Sequence, residues 1–173
     1  MNENNDNVEN LNAADAISKL QELVKNANIC MFTTRLQHLP LNSRPMSTQK
    51  VDDDGNMWFL SPKDSAKNAE IEADNHIHLF YINNGNSEYL SVAGTAEILY
   101  DRQKIEELWN PIAKAWFTEG KDDPRISIIK VQPEQSYYWD TKHGKMVSLV
   151  KIAAAIISGK TMDDGVEGVL EVS

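Results

Sequence analysis

Leu60-Ser61-Pro62-Lys63-Asp64-Ser65-Ala66-Lys67 is the stretch where an apolar strand hands over to a helix. Upstream, Met57-Trp58-Phe59-Leu60 is short, aromatic and apolar, the composition of a half-buried strand. Downstream, residues 65–74 are rich in Ala, Glu and Lys, and Pro62, Asp64 and Ser65 supply stop and N-cap chemistry. A strand that turns directly into a helix leaves the first backbone N–H groups of that helix without partners. With the Ser61 and Ser65 hydroxyls and the Lys67 ammonium beside them, those donors form a cradle for a phosphate. The same residues also read as an ordinary capped helix, so the rest of the chain has to decide.

Just upstream, Asp52-Asp53-Asp54-Gly55-Asn56 is turn chemistry between strand-like runs at 43–51 and 56–60, which together read as a hairpin. Arg44 begins the first of these runs. As hairpin partners the two strands would bring Arg44 and Lys67 to one end of the sheet, where two cations and two hydroxyls hold a phosphate monoester. The plainer reading of both is solvated surface charge. The aspartate run lacks the spacing of a calcium loop and reads as a solvated turn.

Further strands are expected at 29–35, 76–83 and 88–100, with a second turn at Asn83-Asn84-Gly85-Asn86. Gly94 interrupts the long strand and suggests a bulge or a bend at a barrel corner. Two more strands, 125–131 and 135–140, are expected on either side of a turn at Pro133. A first helix spans about 13–27, with Ala16, Ile17, Leu20, Leu23 and Val24 on one face. Short helices are expected at 101–109 and 111–117, and a final apolar one at 148–158 ended by Gly159. Residues 1–11 lack apolar content and read as an unstructured tail, 12–158 as one domain and 159–173 as a weakly structured tail. Hairpin-linked strands with inserted helices argue for a mainly β, antiparallel barrel with accessory helices. The βαβ alternation of a parallel sheet is missing.

The chain has 173 residues, 41% apolar and 25% charged, which suits a single globular domain. A net charge of −9 argues against nucleic acid and against anionic membrane surfaces as partners. The single Cys30 lies in an apolar run, so it reads as a small buried hydrophobe and no disulfide framework is expected. No secretory signal and no membrane-length apolar stretch is visible, and the expected setting is cytoplasmic. His76 and His78 share a strand face, but no third ligand stands at a telling distance, so no metal site is expected. Trp58, Trp109, Trp116, Trp139 and the pair Tyr137-Tyr138 offer flat faces to an aromatic ligand, or simply pack.

Four stretches carry a family resemblance: Ser43-Arg44-Pro45-Met46; Trp58-Phe59-Leu60-Ser61 with Ser65-Ala66-Lys67; residues 90–96; and residues 115–124 leading to Tyr138-Trp139-Asp140. In their order and spacing the chain resembles the flavin-binding split-barrel family of pyridoxamine 5′-phosphate oxidase, and within it the general stress protein 26 branch. The resemblance implies a six-stranded antiparallel split β-barrel, a homodimer, and flavin mononucleotide (FMN) at the subunit interface. It also implies that Arg44 and Lys67 bind the flavin phosphate, with Leu60, Ser61 and Ser65 alongside. Met46, Ser47 and Thr48 would run past the isoalloxazine ring, and Trp116 and Trp139 would lie near it.

The chain departs from the oxidase proper at several of these positions. Ala66 stands where the oxidase has arginine, Gln49 where it has lysine, and Tyr89 where it has glutamine. The C-terminal segment that grips pyridoxal phosphate is missing, with only His143 and Lys145 nearby. The implied activity is therefore FMN-dependent oxidoreduction of a small electron donor by hydride transfer to flavin N5, with a vitamin B6 phosphate not the expected substrate. In such enzymes the protein binds and tunes the cofactor rather than supplying a nucleophile. The alternatives are a non-catalytic flavin-binding stress protein, or the same barrel holding FAD, a deazaflavin, or a haem ligated by His76 or His143.

Overall fold

The computed structural model describes the backbone of residues 8–10, 13–140 and 145–148 and the surroundings of side chains 14–139. In chain order the elements are β1 (Val8–Asn10), α1 (Ala13–Ala27), β2 (Ile29–Thr34), β3 (Asn42–Ser47), β4 (Lys50–Val51), β5 (Met57–Pro62) and α2 (Ala66–Ala73). There follow β6 (His76–Asn83), β7 (Glu88–Leu99), α3 (Arg102–Leu108), 3₁₀ turns at Pro111–Ala115 and Gly120–Asp122, β8 (Ile126–Asp140) and β9 (Lys145–Ser148).

The run expected at 43–51 is broken at Thr48 and Gln49, and the break lets it serve two neighbours. β3 pairs with β2, whereas β4 pairs with β5. From β2 the ladder continues through β6 and β7 to β8, and β8 returns to β5. Six antiparallel runs thus close into the split barrel. The hairpin at Asp52 is real but short, joining Lys50 and Val51 to Trp58 and Met57. The wider hairpin pairing expected between the strands of Arg44 and Leu60 is corrected: Arg44 lies opposite Phe32 on β2.

A second correction concerns Pro133, which does not divide two strands. β8 runs unbroken, and the irregularity appears as a register shift opposite Ala93 and Gly94. A Cβ on Gly94 would stand 2.2 Å from the Gln132 carbonyl oxygen, so only glycine allows the two backbones to approach this closely. Within the expected N-terminal tail, Val8–Asn10 forms a strand parallel to β9. Ser148, expected to open a helix, belongs to β9. The rest of that expected helix, His143 and residues 159–173 lie outside the described residues.

Two packed clusters set the architecture. In the barrel, Ala16, Ile17, Leu20, Leu23 and Val24 of α1 share one core with Phe32, Phe59, Leu79 and Val131. Phe32 and Phe59 meet edge to face at 5.3 Å, the geometry that aromatic quadrupoles favour. The second cluster joins Trp58, Ile126 and Ile128 to Ile105, Leu108, Ala113 and Phe117, and so fixes α3 and the first 3₁₀ turn against the barrel wall. Asp101 caps α3 by accepting from Lys104 N, and Asn110 caps the 3₁₀ turn by accepting from Ala113 N, both at 3.1 Å. No helix among the described residues is long and apolar enough to cross a membrane.

Candidate functional site

The strand-to-helix turn is held by a small polar hub. Ser61 is fully buried, and its hydroxyl donates to Asn68 Oδ1 at 2.7 Å. Ser65 has the extended backbone of an N-cap, but its hydroxyl caps no helix amide and donates to the same Asn68 oxygen at 3.1 Å. Asn68 Nδ2 donates to Ser127 Oγ, and Ser127 Oγ to the Ser61 carbonyl, each at 2.8 Å. These hydroxyls therefore fasten α2 to β5 and β8. The sequence suggests phosphate donors; Ser61 is spent inside the fold.

Lys67, one residue before the hub, projects the other way. It lines a hollow of about 130 Å³ together with Met46, Ser47, Leu60 and Trp116, all residues expected at a ligand site. Pro45, Pro62, Ile112, Ala113 and Phe117 complete the apolar walls, and Gln49 and Asn110 supply the neutral polar part. Among the described residues the Lys67 ammonium has no hydrogen-bond or ion-pair partner. Burial pushes it below its ordinary value and the charge of Arg44 adds to this, while Asp64 and Glu70 oppose.

Arg44 is close enough for Lys67 to feel its charge, yet it does not line the hollow. Its Nη2 donates to Glu70 Oε2 at 2.8 Å and its Nη1 to Thr34 Oγ1 at 2.6 Å. Glu70 also accepts from Thr34 Oγ1 and from Asn42 Nδ2, each at 2.5 Å. Burial alone would raise the Glu70 carboxyl; bonds from Thr34, Asn42 and Arg44 outweigh it and hold the group below its ordinary value. The two expected cations are thus neighbours, with Arg44 paired to a carboxylate.

Thr48 is buried and shares a 2.6 Å hydrogen bond with the Tyr81 hydroxyl, facing a separate hollow of about 300 Å³ beside α1. Trp139 is 41% exposed on β8, paired across to Tyr89. Trp139 is not among the residues that line the hollow. Trp139 belongs instead to an exposed apolar sheet face. Met31 stands beside Phe80, with Ile29 and Ile82 two residues further along, and Ile82 pairs with Tyr89. Pro45 and Ser47, on the rim of the hollow, lie opposite Met31 and Ile29. The hollow therefore opens at the edge of this face.

Sequence reasoning missed Asn110 and Ile112. Asn110-Pro111 reads as a helix start, which it is, but the Asn110 amide also donates to Gln49 Oε1 at 2.5 Å across 61 positions. No local pattern reports such a pairing. His76 pairs with Asp74, and His78 bonds Ser91 and stacks on Phe80, so neither reaches the hollow.

The family model described as pyridoxamine 5′-phosphate oxidase like matches residues 15–163. The chain belongs to this family. Protein bli-3 of Neurospora crassa is 28% identical over 154 residues, covering 83% of this chain and 74% of that protein. The crystal structure of a Clostridium acetobutylicum protein related to general stress protein 26 superposes with a TM-score of 0.67 at 25% identity, over 82% of this chain and 97% of that one. The general stress FMN/FAD binding protein of Xanthomonas citri shares the fold, with a TM-score of 0.64 at 20% identity over 90% and 98% of the two chains. Family members of this split-barrel form bear out the fold expected from the four sequence stretches. The residues fit a phosphate-bearing planar cofactor in kind: an ammonium with no partner among the described residues, apolar walls and a neutral amide pair.

Proposed function

We propose that this protein is a homodimeric FMN-binding flavoprotein that works as an oxidoreductase on a small electron donor. The observation that carries the reading is Lys67, a cation with no partner among the described residues, lining an apolar hollow that opens onto an exposed apolar sheet face. Lys67 anchors the phosphate. Leu60, Met46 and Ser47 form the wall beside the ring and Trp116, 62% exposed, covers it. When bound, the flavin supplies hydride transfer at its N5; the chain supplies binding, orientation and shelter from water. The description of the Xanthomonas citri relative as FMN/FAD binding supports a flavin.

The size of the hollow and the exposure of the sheet face support a dimer. Ligand pockets usually occupy about 300–1,000 Å³, more than this hollow offers. A second copy seated on the apolar face would enlarge it and would cover Ile29, Met31, Phe80, Ile82 and Trp139. Burial of the one cysteine suits a reducing, cytoplasmic setting.

The test is an absorption spectrum of the freshly purified protein, with mass spectrometry of the ligand it releases. A flavin spectrum with FMN released is expected, as is bleaching on anaerobic mixing with a reduced nicotinamide. Flavin that no donor bleaches would make this a binding protein rather than an oxidoreductase. A colourless protein that takes up no added flavin contradicts the proposal.

A further inference from the structure

We infer that Gln49 and Asn110 form a specificity-determining pair that reads an uncharged amide-type group of a ligand in the hollow. The inference rests on the flavin reading above and assigns a part of that site which Lys67 does not serve. The two residues come from separate elements: Gln49 from the break between β3 and β4, Asn110 from the cap of the first 3₁₀ turn. Both are half-buried and both line the hollow.

Their amides are oriented by a chain of bonds that starts at the backbone. The Ala113 N–H can only donate, so the Asn110 atom 3.1 Å from it is the carbonyl oxygen. That turns Asn110 Nδ2 to Gln49, where it donates to Oε1 at 2.5 Å. Gln49 Nε2 then faces the Ser47 carbonyl and donates to it at 3.0 Å. Reversing either amide would set donor against donor or acceptor against acceptor. The Gln49 main chain is held as well, its N–H donating to Trp58 O at 2.8 Å.

A carboxamide carries two N–H donors and an oxygen with two lone pairs. The bonds above use one N–H and one lone pair of each residue. Each amide keeps a second N–H and a second lone pair with no other partner among the described residues. What remains is a fixed edge of donors and acceptors without charge, and a ligand that covers it must satisfy it. A group with a carbonyl beside an N–H does so, which means an imide or a primary carboxamide. The flavin offers an imide in its pyrimidine ring, and a nicotinamide donor offers a carboxamide; the pair recognises the chemistry the two share.

The test compares the full chain with Asn110→Asp and Gln49→Met. Asn110→Asp keeps the oxygen that caps the 3₁₀ turn and removes the amide donor; Gln49→Met keeps the length and removes the amide. Flavin fluorescence gives the dissociation constants of riboflavin and of riboflavin methylated at its imide nitrogen. Anaerobic bleaching of the bound flavin gives the half-saturating concentrations of a reduced nicotinamide and of its acetylpyridine analogue, which lacks the amide nitrogen. If the flavin imide is read, the parent prefers riboflavin by about fivefold or more and both variants lose that preference. If the donor is read, the flavin ratio stays and the variants lose a preference of similar size for the nicotinamide. A purely structural pair would weaken both members of each comparison alike and leave both ratios standing, which overturns the inference. Where no nicotinamide bleaches the flavin, the riboflavin ratio alone decides, and a ratio unchanged in both variants overturns it. Should Asn110→Asp not fold, Gln49→Met decides in the same way. A parent that takes up no flavin contradicts the flavin reading and this inference with it, an outcome distinct from a flavin-bound parent whose ratios survive both substitutions.

Discussion

Asn68 donates its side-chain amide to the Ser127 hydroxyl at 2.8 Å, and this bond ties helix α2 to strand β8 at the turn where the chain changes from strand to helix. Asn68 is 1% exposed and accepts from both Ser61 and Ser65. Replacing it with Ala would remove a hydrogen bond from buried hydroxyls on two strands at once. Asn68→Ala is expected to destabilise the fold by about 1–3 kcal/mol, the penalty for unsatisfied buried donors and acceptors. Chemical denaturation measures it; an unchanged midpoint would mean that water or a rearranged Ser61 takes over.

Gly94 marks a close approach of two backbones on the barrel wall. In Gly94→Ala the new methyl would meet the Gln132 carbonyl oxygen and carbon and the Pro133 Cα, all main-chain atoms that cannot swing away. A loss of about 1–3 kcal/mol or more is expected from the forced shift, with a matching fall in the denaturation midpoint. Wild-type stability in this variant would contradict the close approach of β7 and β8.

Cys30 is 1% exposed, and burial pushes its thiol up to about 12, offset only partly by its hydrogen bonds. The neutral thiol is the stable form at every pH up to that range, and the thiolate is the reactive species. Cys30 should therefore resist a disulfide reagent at pH 8 in the native protein and react at once in denaturant. Rapid stoichiometric labelling of the folded chain would show that the barrel opens there.

The parts of this molecule legible in its sequence are those decided within a few residues. The apolar face of α1 and the limits of β6 at His76 and Asn83 follow from local spacing, and the glycine at position 94 marked the irregularity in β7, though the contact that requires it is with Gln132 on β8. The turn at 60–67 was legible as a strand meeting a helix, with Lys67 a cation in its first turn. The direction of Ser61 was not, because β5 is buried on both faces along Met57, Trp58 and Phe59 and so shows no alternation to orient its side chains. Nor was the partner of β3, since one strand broken at Thr48 can pair two ways and only the closed barrel chooses. The Arg44–Glu70 pair spans 26 positions, and the charge of a residue does not announce which opposite charge will find it.

Phe80 is 41% exposed beside Met31 and opposite Ser91, near the middle of the apolar sheet face. A carboxylate there would be desolvated by a second copy docking on this face. The parent is expected to sediment as a dimer and Phe80→Glu as a folded monomer, with weaker FMN binding because the hollow is left half built. A variant that remains dimeric would place the subunit contact elsewhere.

The most direct measurement of the central claim is the affinity of the parent and of Lys67→Ala for FMN and for riboflavin, titrated side by side. Loss of one charge-assisted contact should weaken FMN by about 1.5–3 kcal/mol, roughly ten- to a hundredfold, and leave riboflavin nearly unchanged. An FMN affinity unaltered by the substitution would remove Lys67 from the site, and with it the reading of the hollow as a flavin phosphate anchor.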